Sequence, residues 1–264
     1  MRSMLTWILT NFAEQASVRT GLLAGLSALI VLMPLQAETS EWQKAVGRLN
    51  LSGFDWQQHC TATLITQRTV LTAAHCVYVH SRKRWAKPSE INFLAGYDRG
   101  TYTAHLRAQR IVRADGVRPS RGFSLADAAM DWAIIVTRKP APVVVSPLPV
   151  RSAALDAPLI AVGYVRGRAH TLSQNTQCHV QSAAPGSRLI AHTCPLGPGA
   201  SGGPLIARTN SGPQVVGLQT GRSEKTGYAI PARTFASEVF SALDPLGMPG
   251  GAAQTAVRPS TAPR

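Results

Sequence analysis

Acidic residues are scarce in this chain. Asp and Glu make up 13 of its 264 residues, against 27 Lys and Arg, which leaves a formal net charge of +14. Long charged stretches with helical spacing are absent, and 22 glycines and 18 prolines suit short strands joined by tight turns. No Cys-x-x-Cys spacing occurs among the four cysteines, so the usual zinc-binding pattern is missing and neither metal nor other cofactor is expected. The positive charge is not organised for nucleic acid either. Arg and Lys are scattered, no basic stripe is interleaved with aromatics, and the one dense cluster, Arg82-Lys-Arg-Trp-Ala-Lys87, reads as an exposed loop. Specific nucleic-acid binding is therefore not expected; a solvated basic exterior is, with association to anionic envelope surfaces as its one plausible use.

Hydrophobic residues make up 45% of the chain, enough to build a core for one compact unit or two small lobes. The first 37 residues are set apart. Arg2 and Arg19 precede an uncharged apolar run at 21–33, and Leu35-Gln-Ala37 offers a small residue at a cleavage point. Segment 1–37 thus reads as an export signal with a long amino-terminal region. The competing reading is an uncleaved membrane anchor, but the run falls short of the roughly 20 residues a span requires, and Pro34 interrupts it. Both readings place the body outside the cytoplasm, in the periplasm or secreted. An even number of cysteines, Cys60, Cys76, Cys178 and Cys194, fits that compartment; arithmetic alone allows three pairings.

Short apolar stretches recur through the body, separated by Gly, Pro, Asn and Asp. Six fall at 45–49, 62–65, 70–73, 91–95, 106–112 and 132–136, and six more at 159–165, 176–181, 189–193, 204–207, 214–218 and 228–231. The proline-rich segment 139–149 divides the two sets and reads as a bridge between lobes rather than a flexible linker. At 234–243 the spacing changes to that of a helix, with Phe235, Val239, Phe240 and Leu243 on one face. The expected fold is all-β: two six-stranded antiparallel β-barrels, lobe one at about 42–138 and lobe two at about 150–245, with a short C-terminal helix. The Gly-, Pro-, Ala- and Ser-rich tail 246–264 is expected to be disordered.

Three islands carry chemistry: Leu71-Thr-Ala-Ala-His-Cys76, Asp131-Trp-Ala-Ile-Ile-Val136 and Gly199-Ala-Ser-Gly-Gly-Pro204. A serine hydroxyl is a poor nucleophile unless a base takes its proton. His75 is the candidate base. Asp131, at the mouth of an apolar run, is a carboxylate that needs a buried partner, and histidine Nδ1 can be that partner. Asp127, four residues earlier, lacks the following strand and ranks second. Ser201 is the candidate nucleophile, flanked by glycines that permit a sharp turn, and the N–H groups of Gly199 and Ser201 are the candidate oxyanion hole.

The order His, Asp, Ser in these contexts resembles that of the chymotrypsin/trypsin-like serine endopeptidases, over roughly 42–239, with the bacterial glutamyl-endopeptidase-like (V8-like) branch closer than the digestive enzymes. The resemblance implies an active site in the cleft between two barrels, peptide-bond hydrolysis, protein or peptide substrates and a monomer. It also favours Cys60–Cys76 as one disulfide, beside His75; Cys178–Cys194 would then close the loop that leads to Ser201. Two departures matter. Ala200 stands where digestive proteases have the aspartate that pairs with a newly released amino terminus, so that activation pair is excluded. Pro195 stands where a trypsin-like preference for Arg or Lys requires an aspartate, and Leu196 and Gln219 replace the threonine and histidine of glutamate-specific relatives. Pocket walls are expected from Pro195, Leu196, Gln219, Thr220 and Gly221, forming a neutral pocket, with Glu224 as the one other carboxylate within reach. A catalytically idle relative that binds peptides or partners through the same cleft is the alternative class; such relatives usually lose a triad residue, and here all three are present.

Overall fold

Burial with a period of two shapes the first lobe. The computed structural model describes residues 40–119, 124–152, 155–182 and 188–243, so the expected export signal and C-terminal tail lie outside the described residues. The strands of this lobe are β1 (Val46–Ser52), β2 (Gln57–Thr66), β3 (Thr69–Thr72), β4 (Tyr78–Val79), β5 (Arg84–Trp85), β6 (Ile91–Ala95), β7 (Ala104–Arg113) and β8 (Ala133–Thr137). Along β7, Ala104, Leu106 and Ala108 are buried while His105, Arg107 and Gln109 face solvent, as a strand with one wet face must alternate. β8 is buried throughout. Six of the strands close into an antiparallel barrel in the order β1-β2-β3-β8-β7-β6. Closure pairs both edges of each of these six strands, while β4 and β5 pair with each other outside the barrel.

The basic cluster 82–87 is more ordered than an exposed loop. Arg82 and Lys83 are exposed, but Arg84 and Trp85 form β5, paired with β4. Arg84 binds Glu90 at 2.7 Å, and Trp85 packs edge-on to Tyr78 with the Arg113 guanidinium 4.1 Å from its ring centre. Aromatic and cation–π contacts thus hold down a segment whose charge alone suggested solvent.

The second lobe comprises β9 (Leu159–Gly163), β10 (Ser173–Cys178), β11 (Val180–Ser182), β12 (Ile190–His192), β13 (Pro204–Thr209), β14 (Gly212–Arg222) and β15 (Gly227–Pro231). Their order is β10-β9-β13-β14-β15-β12-β11. β10 and β11 occupy opposite edges of this sheet, yet only His179 separates them in sequence. The sheet must therefore curl until its edges meet. Counted as one broken strand, β10 and β11 make a six-stranded barrel closed by the chain itself.

Alternation explains why β9 is buried on both faces. Leu159 and Ala161 join a core with Cys178, Ile190, Cys194, Leu205 and Val216, inside the second barrel. Ile160 and Val162 join a larger core that runs from the first barrel to Val215, Leu218, Ile230, Phe235 and Val239. The helix Ala232–Leu243 places Phe235 and Val239 in that shared core. The bridge between lobes is bound to both. Ala141 and Leu148 donate their N–H groups to the Gln67 and Leu64 carbonyls, at 2.7 and 2.9 Å, and Val215 donates its N–H to the Pro149 carbonyl at 2.9 Å while accepting the Arg151 N–H at 3.0 Å.

Candidate active site

His75 lies on a 3-10 turn, Ala74–Val77, that follows β3 directly. The next residue, Cys76, is joined to Cys60 of β2, and Cys178 is joined to Cys194; the four cysteines form these two disulfides. Asp131 sits between the four-residue helix Leu125–Ala128 and β8, and its side chain is 8% exposed. Its carboxylate is heavily ligated. Oδ1 accepts the His75 backbone N–H at 2.8 Å, Oδ2 lies 2.6 Å from His75 Nδ1, and Oδ2 also accepts the Thr220 hydroxyl at 2.5 Å. The Asp131 carbonyl accepts the Ala74 N–H at 3.2 Å. Burial disfavours a charged His75 ring, but the charge of Asp131 and the hydrogen bond to it outweigh burial, and the His75 pKa rises above its ordinary value.

Asp127 is occupied elsewhere: its N–H donates to Ser124 Oγ at 3.1 Å and its carboxylate accepts that hydroxyl at 2.7 Å, capping the short helix.

Ser201 is tied to the first barrel through Thr61, which is wholly buried. The Thr61 N–H donates to the Ser201 carbonyl at 3.0 Å, and its hydroxyl donates to the Gly199 carbonyl at 2.9 Å while accepting the Tyr164 N–H at 2.8 Å. One side chain therefore joins the serine loop, the end of β9 and β2. The loop itself turns on two glycines in the left-handed region. Gly199 has φ +97°, and Gly202 has φ +80° with space for a Cβ only 2.2 Å from Thr72 Oγ1. The Ala200 N–H is used by the Gly197 carbonyl at 3.1 Å. The flanking N–H groups of Gly199 and Ser201 have no acceptor among the described residues. A pair of idle amides beside a serine is the arrangement that stabilises an oxyanion.

A cleft of about 350 Å³ gathers His75, Asp131 and Ser201 with Leu196, Gly197, Pro198, Thr220, Gly221 and Gly227. Its remaining carboxylate is Asp127, while Arg118 and Arg222 supply positive charge. Of the expected pocket residues, Leu196, Gln219, Thr220 and Gly221 line the cleft, whereas Pro195 does not. Gln219 turns its side chain away: Nε2 donates to the Val162 and Pro204 carbonyls at 2.8 and 3.2 Å, and its backbone brackets Gly202 and Gly203. It fixes the serine loop instead of facing substrate. Glu224 is exposed and lies outside the cleft lining. Ala200 is 3% exposed and packs on Gly163.

Sequence reasoning missed the use of Thr61 and Thr220, because a threonine in a strand carries no mark of its partner. It also missed His192. This ring is 1% exposed, its Nδ1 accepts the Cys194 N–H at 3.3 Å, and its Nε2 has no partner. It fills the space where a side chain at Gly227 would project, and burial holds its pKa down at about 4. The two His and Cys clusters that are close enough for a metal, Cys60-His75-Cys76 and Cys178-His192-Cys194, draw their sulfurs from disulfides, which do not act as thiolate ligands while oxidised.

Two barrels, one fully closed, with a His–Asp pair and a serine in the cleft between them, define the chymotrypsin-like fold class. The crystal structure of a thermostable serine protease, AL20, from an extremophilic microorganism matches with a TM-score of 0.62 over 76% of this chain and 98% of that one, at 18% identity. The family model for the trypsin-like peptidase domain matches residues 60–218, and the chain belongs to that family. No curated protein matches it.

Proposed function

We propose that the chain is an exported serine endopeptidase that cleaves peptide bonds through an acyl-enzyme formed on Ser201. The observation that carries this reading is the 2.6 Å contact between His75 Nδ1 and Asp131 Oδ2 in the cleft that also holds Ser201. Asp131 fixes the tautomer with the proton on Nδ1, which leaves Nε2 as the base for the serine hydroxyl. Ser201 Oγ attacks the substrate carbonyl carbon as His75 takes the proton. The oxygen of the tetrahedral intermediate receives the idle N–H groups of Gly199 and Ser201. His75 then protonates the departing amine, and water repeats the sequence to release the acyl half.

The lining of Leu196, Gly197, Pro198 and Gly221 supports a neutral pocket for the residue before the cleaved bond. With no free carboxylate at Pro195 and Arg222 at the rim, a strong preference for Arg or Lys is not expected. Ala200 supports activity that does not depend on a defined amino terminus. Two disulfides fit folding outside the reducing cytoplasm. Among the described residues no helix is long and apolar enough to cross a membrane.

Fluorophosphonate labelling of the mature protein tests the reading. The expected outcome is one modified serine, Ser201, with labelling and peptidase activity both lost in Ser201→Ala. Labelling elsewhere, or none with a folded protein, would leave the idle peptide-binding relative as the better description.

A further inference from the structure

A second cavity opens on the other side of Gly199. It is bounded by Arg48, Asn50, Gln57, His59 and Arg166, and its lining contains no Asp or Glu. Three of its polar atoms, Arg48 Nε, Asn50 Oδ1 and His59 Nε2, are buried and make no hydrogen bond, half of the six such atoms among the described residues. Buried polar groups normally find partners; here two nitrogens, Arg48 Nε and His59 Nε2, and one acceptor, Asn50 Oδ1, are without one beside the same hollow. The charge there is also uncompensated. Burial lowers the His59 pKa first, and the Arg48, Arg166 and His170 charges lower it further; a hydrogen bond to the Tyr164 backbone opposes them, and no carboxylate does. Arg48 is held in place by the Tyr97 ring, 5.5 Å from its guanidinium carbon, and forms no ion pair among the described residues.

The position of the cavity gives it a role. Pro198, Ala200 and Ser201 face the cleft that holds the acyl half of a substrate, while Gly199, between them, faces this one. A peptide whose carbonyl oxygen rests on the Gly199 and Ser201 amides therefore has its leaving half directed past Gly199. Because Gly199 itself lines the cavity, the residues just after the bond are the ones that pass it.

We propose that the cavity lined by Arg48, Asn50, His59 and Arg166 receives an acidic side chain from the leaving half of the substrate, so that the enzyme prefers Asp or Glu within two residues after the cleaved bond. This rests on the endopeptidase reading above. Arg48 and Arg166 supply the charge, and the Arg48 guanidinium gains an acceptor for its unpartnered Nε–H.

The test uses quenched peptides identical up to the bond, with Glu, Gln or Lys at the first or second position after it, at low ionic strength. Each protein's peptide turnover is divided by its own turnover of a chromogenic anilide that has the same acyl half and no residue beyond the bond. The expected kcat/KM order is Glu above Gln above Lys, with Glu favoured over Gln about tenfold. The preference should shrink to within about threefold in Arg48→Gln and to an intermediate value in Arg166→Gln, a change on an exposed loop. Equal turnover of the three peptides while the anilide is hydrolysed overturns the subsite and leaves the endopeptidase reading standing. If no substrate is turned over, the endopeptidase reading fails, and anisotropy with Ser201→Ala protein decides the cavity. A Glu peptide bound about tenfold more tightly than its Gln counterpart supports an acidic-peptide site, and equal binding overturns it.

Discussion

His75 and His192 make a controlled pair within one molecule. Each lies close to a cystine that closes a loop of the same sequence separation, 16 residues: His75 directly before Cys76, and His192 two residues before Cys194. The His75 side chain is 28% exposed, and His192 is buried almost completely. Their proton affinities nevertheless diverge. Desolvation opposes charge on both rings, but Asp131 overcomes it for His75, while nothing opposes it for His192, which falls to about 4. Burial alone thus makes a histidine inert near neutral pH; a ligated carboxylate makes it a base. The difference lies in one partner and is invisible in the residue type.

The sharpest way to break the contrast is to remove that partner. Asp131→Asn should lower kcat by about ten-thousand-fold, the scale seen when a triad loses its orienting carboxylate. It should also move the acidic limb of the kcat/KM–pH profile. The neutral imidazole is the active form, so activity rises with pH through a pKa that Asp131 holds above the ordinary value; in the variant that limb moves to lower pH. Asp127→Asn, which disturbs a helix cap and removes a cleft carboxylate that does not act on His75, should leave the limb in place.

The opposite member is tested by acid. His192 is neutral when folded and titrates near 6.5 when unfolded, so unfolding takes up its proton. Its neutral burial costs nothing above pH 6.5 and progressively destabilises the fold as pH falls towards 4, by about 3 kcal/mol in all. His192→Gln, compared with the parent by denaturant unfolding at pH 7.5 and pH 4, should lose less stability over that interval. An equal loss in both proteins would show that other groups govern acid unfolding.

Removing the disulfides separates stability from catalysis. Chain entropy assigns each loop roughly 3 kcal/mol. The Cys178→Ala/Cys194→Ala pair should lose about that much stability with kcat little changed. The Cys60→Ala/Cys76→Ala pair should lose similar stability and kcat as well, since Cys76 anchors the turn that carries His75. The smallest effect is expected from Thr220→Val, which takes one of three donors from Asp131: kcat should fall about tenfold, equivalent to roughly 1.4 kcal/mol, with KM nearly constant. A change in KM instead would mean that Thr220 contacts substrate.

The fold was largely legible because its signals are local. Twelve apolar stretches punctuated by turn residues correspond to the strands of the two barrels, and the shift to helical spacing near residue 234 marks the helix that starts at Ala232. Residues 82–87 were misread because charge was weighed and the packing of Trp85 against Tyr78 was not. The split of one strand into β10 and β11 at His179 was also hidden, since a one-residue break leaves no composition signal. At the site, His75, Asp131 and Ser201 stood out through their neighbours in the chain. Gln219 and Thr220 were expected only as pocket walls and Thr61 not at all; the role of each runs through a partner more than 50 residues away, and nothing in local sequence encodes such a pairing.

The seam at His179 gives the second disulfide a meaning beyond loop entropy. Cys178 ends the strand at one margin of the sheet, and Cys194 follows β12, next to the strand at the other margin. The bond therefore clasps a cylinder shut along the line where its hydrogen-bonded wall is interrupted. The two margins are thus tied twice, once through the backbone at His179 and once through sulfur, and in a reducing compartment only the backbone tie would remain.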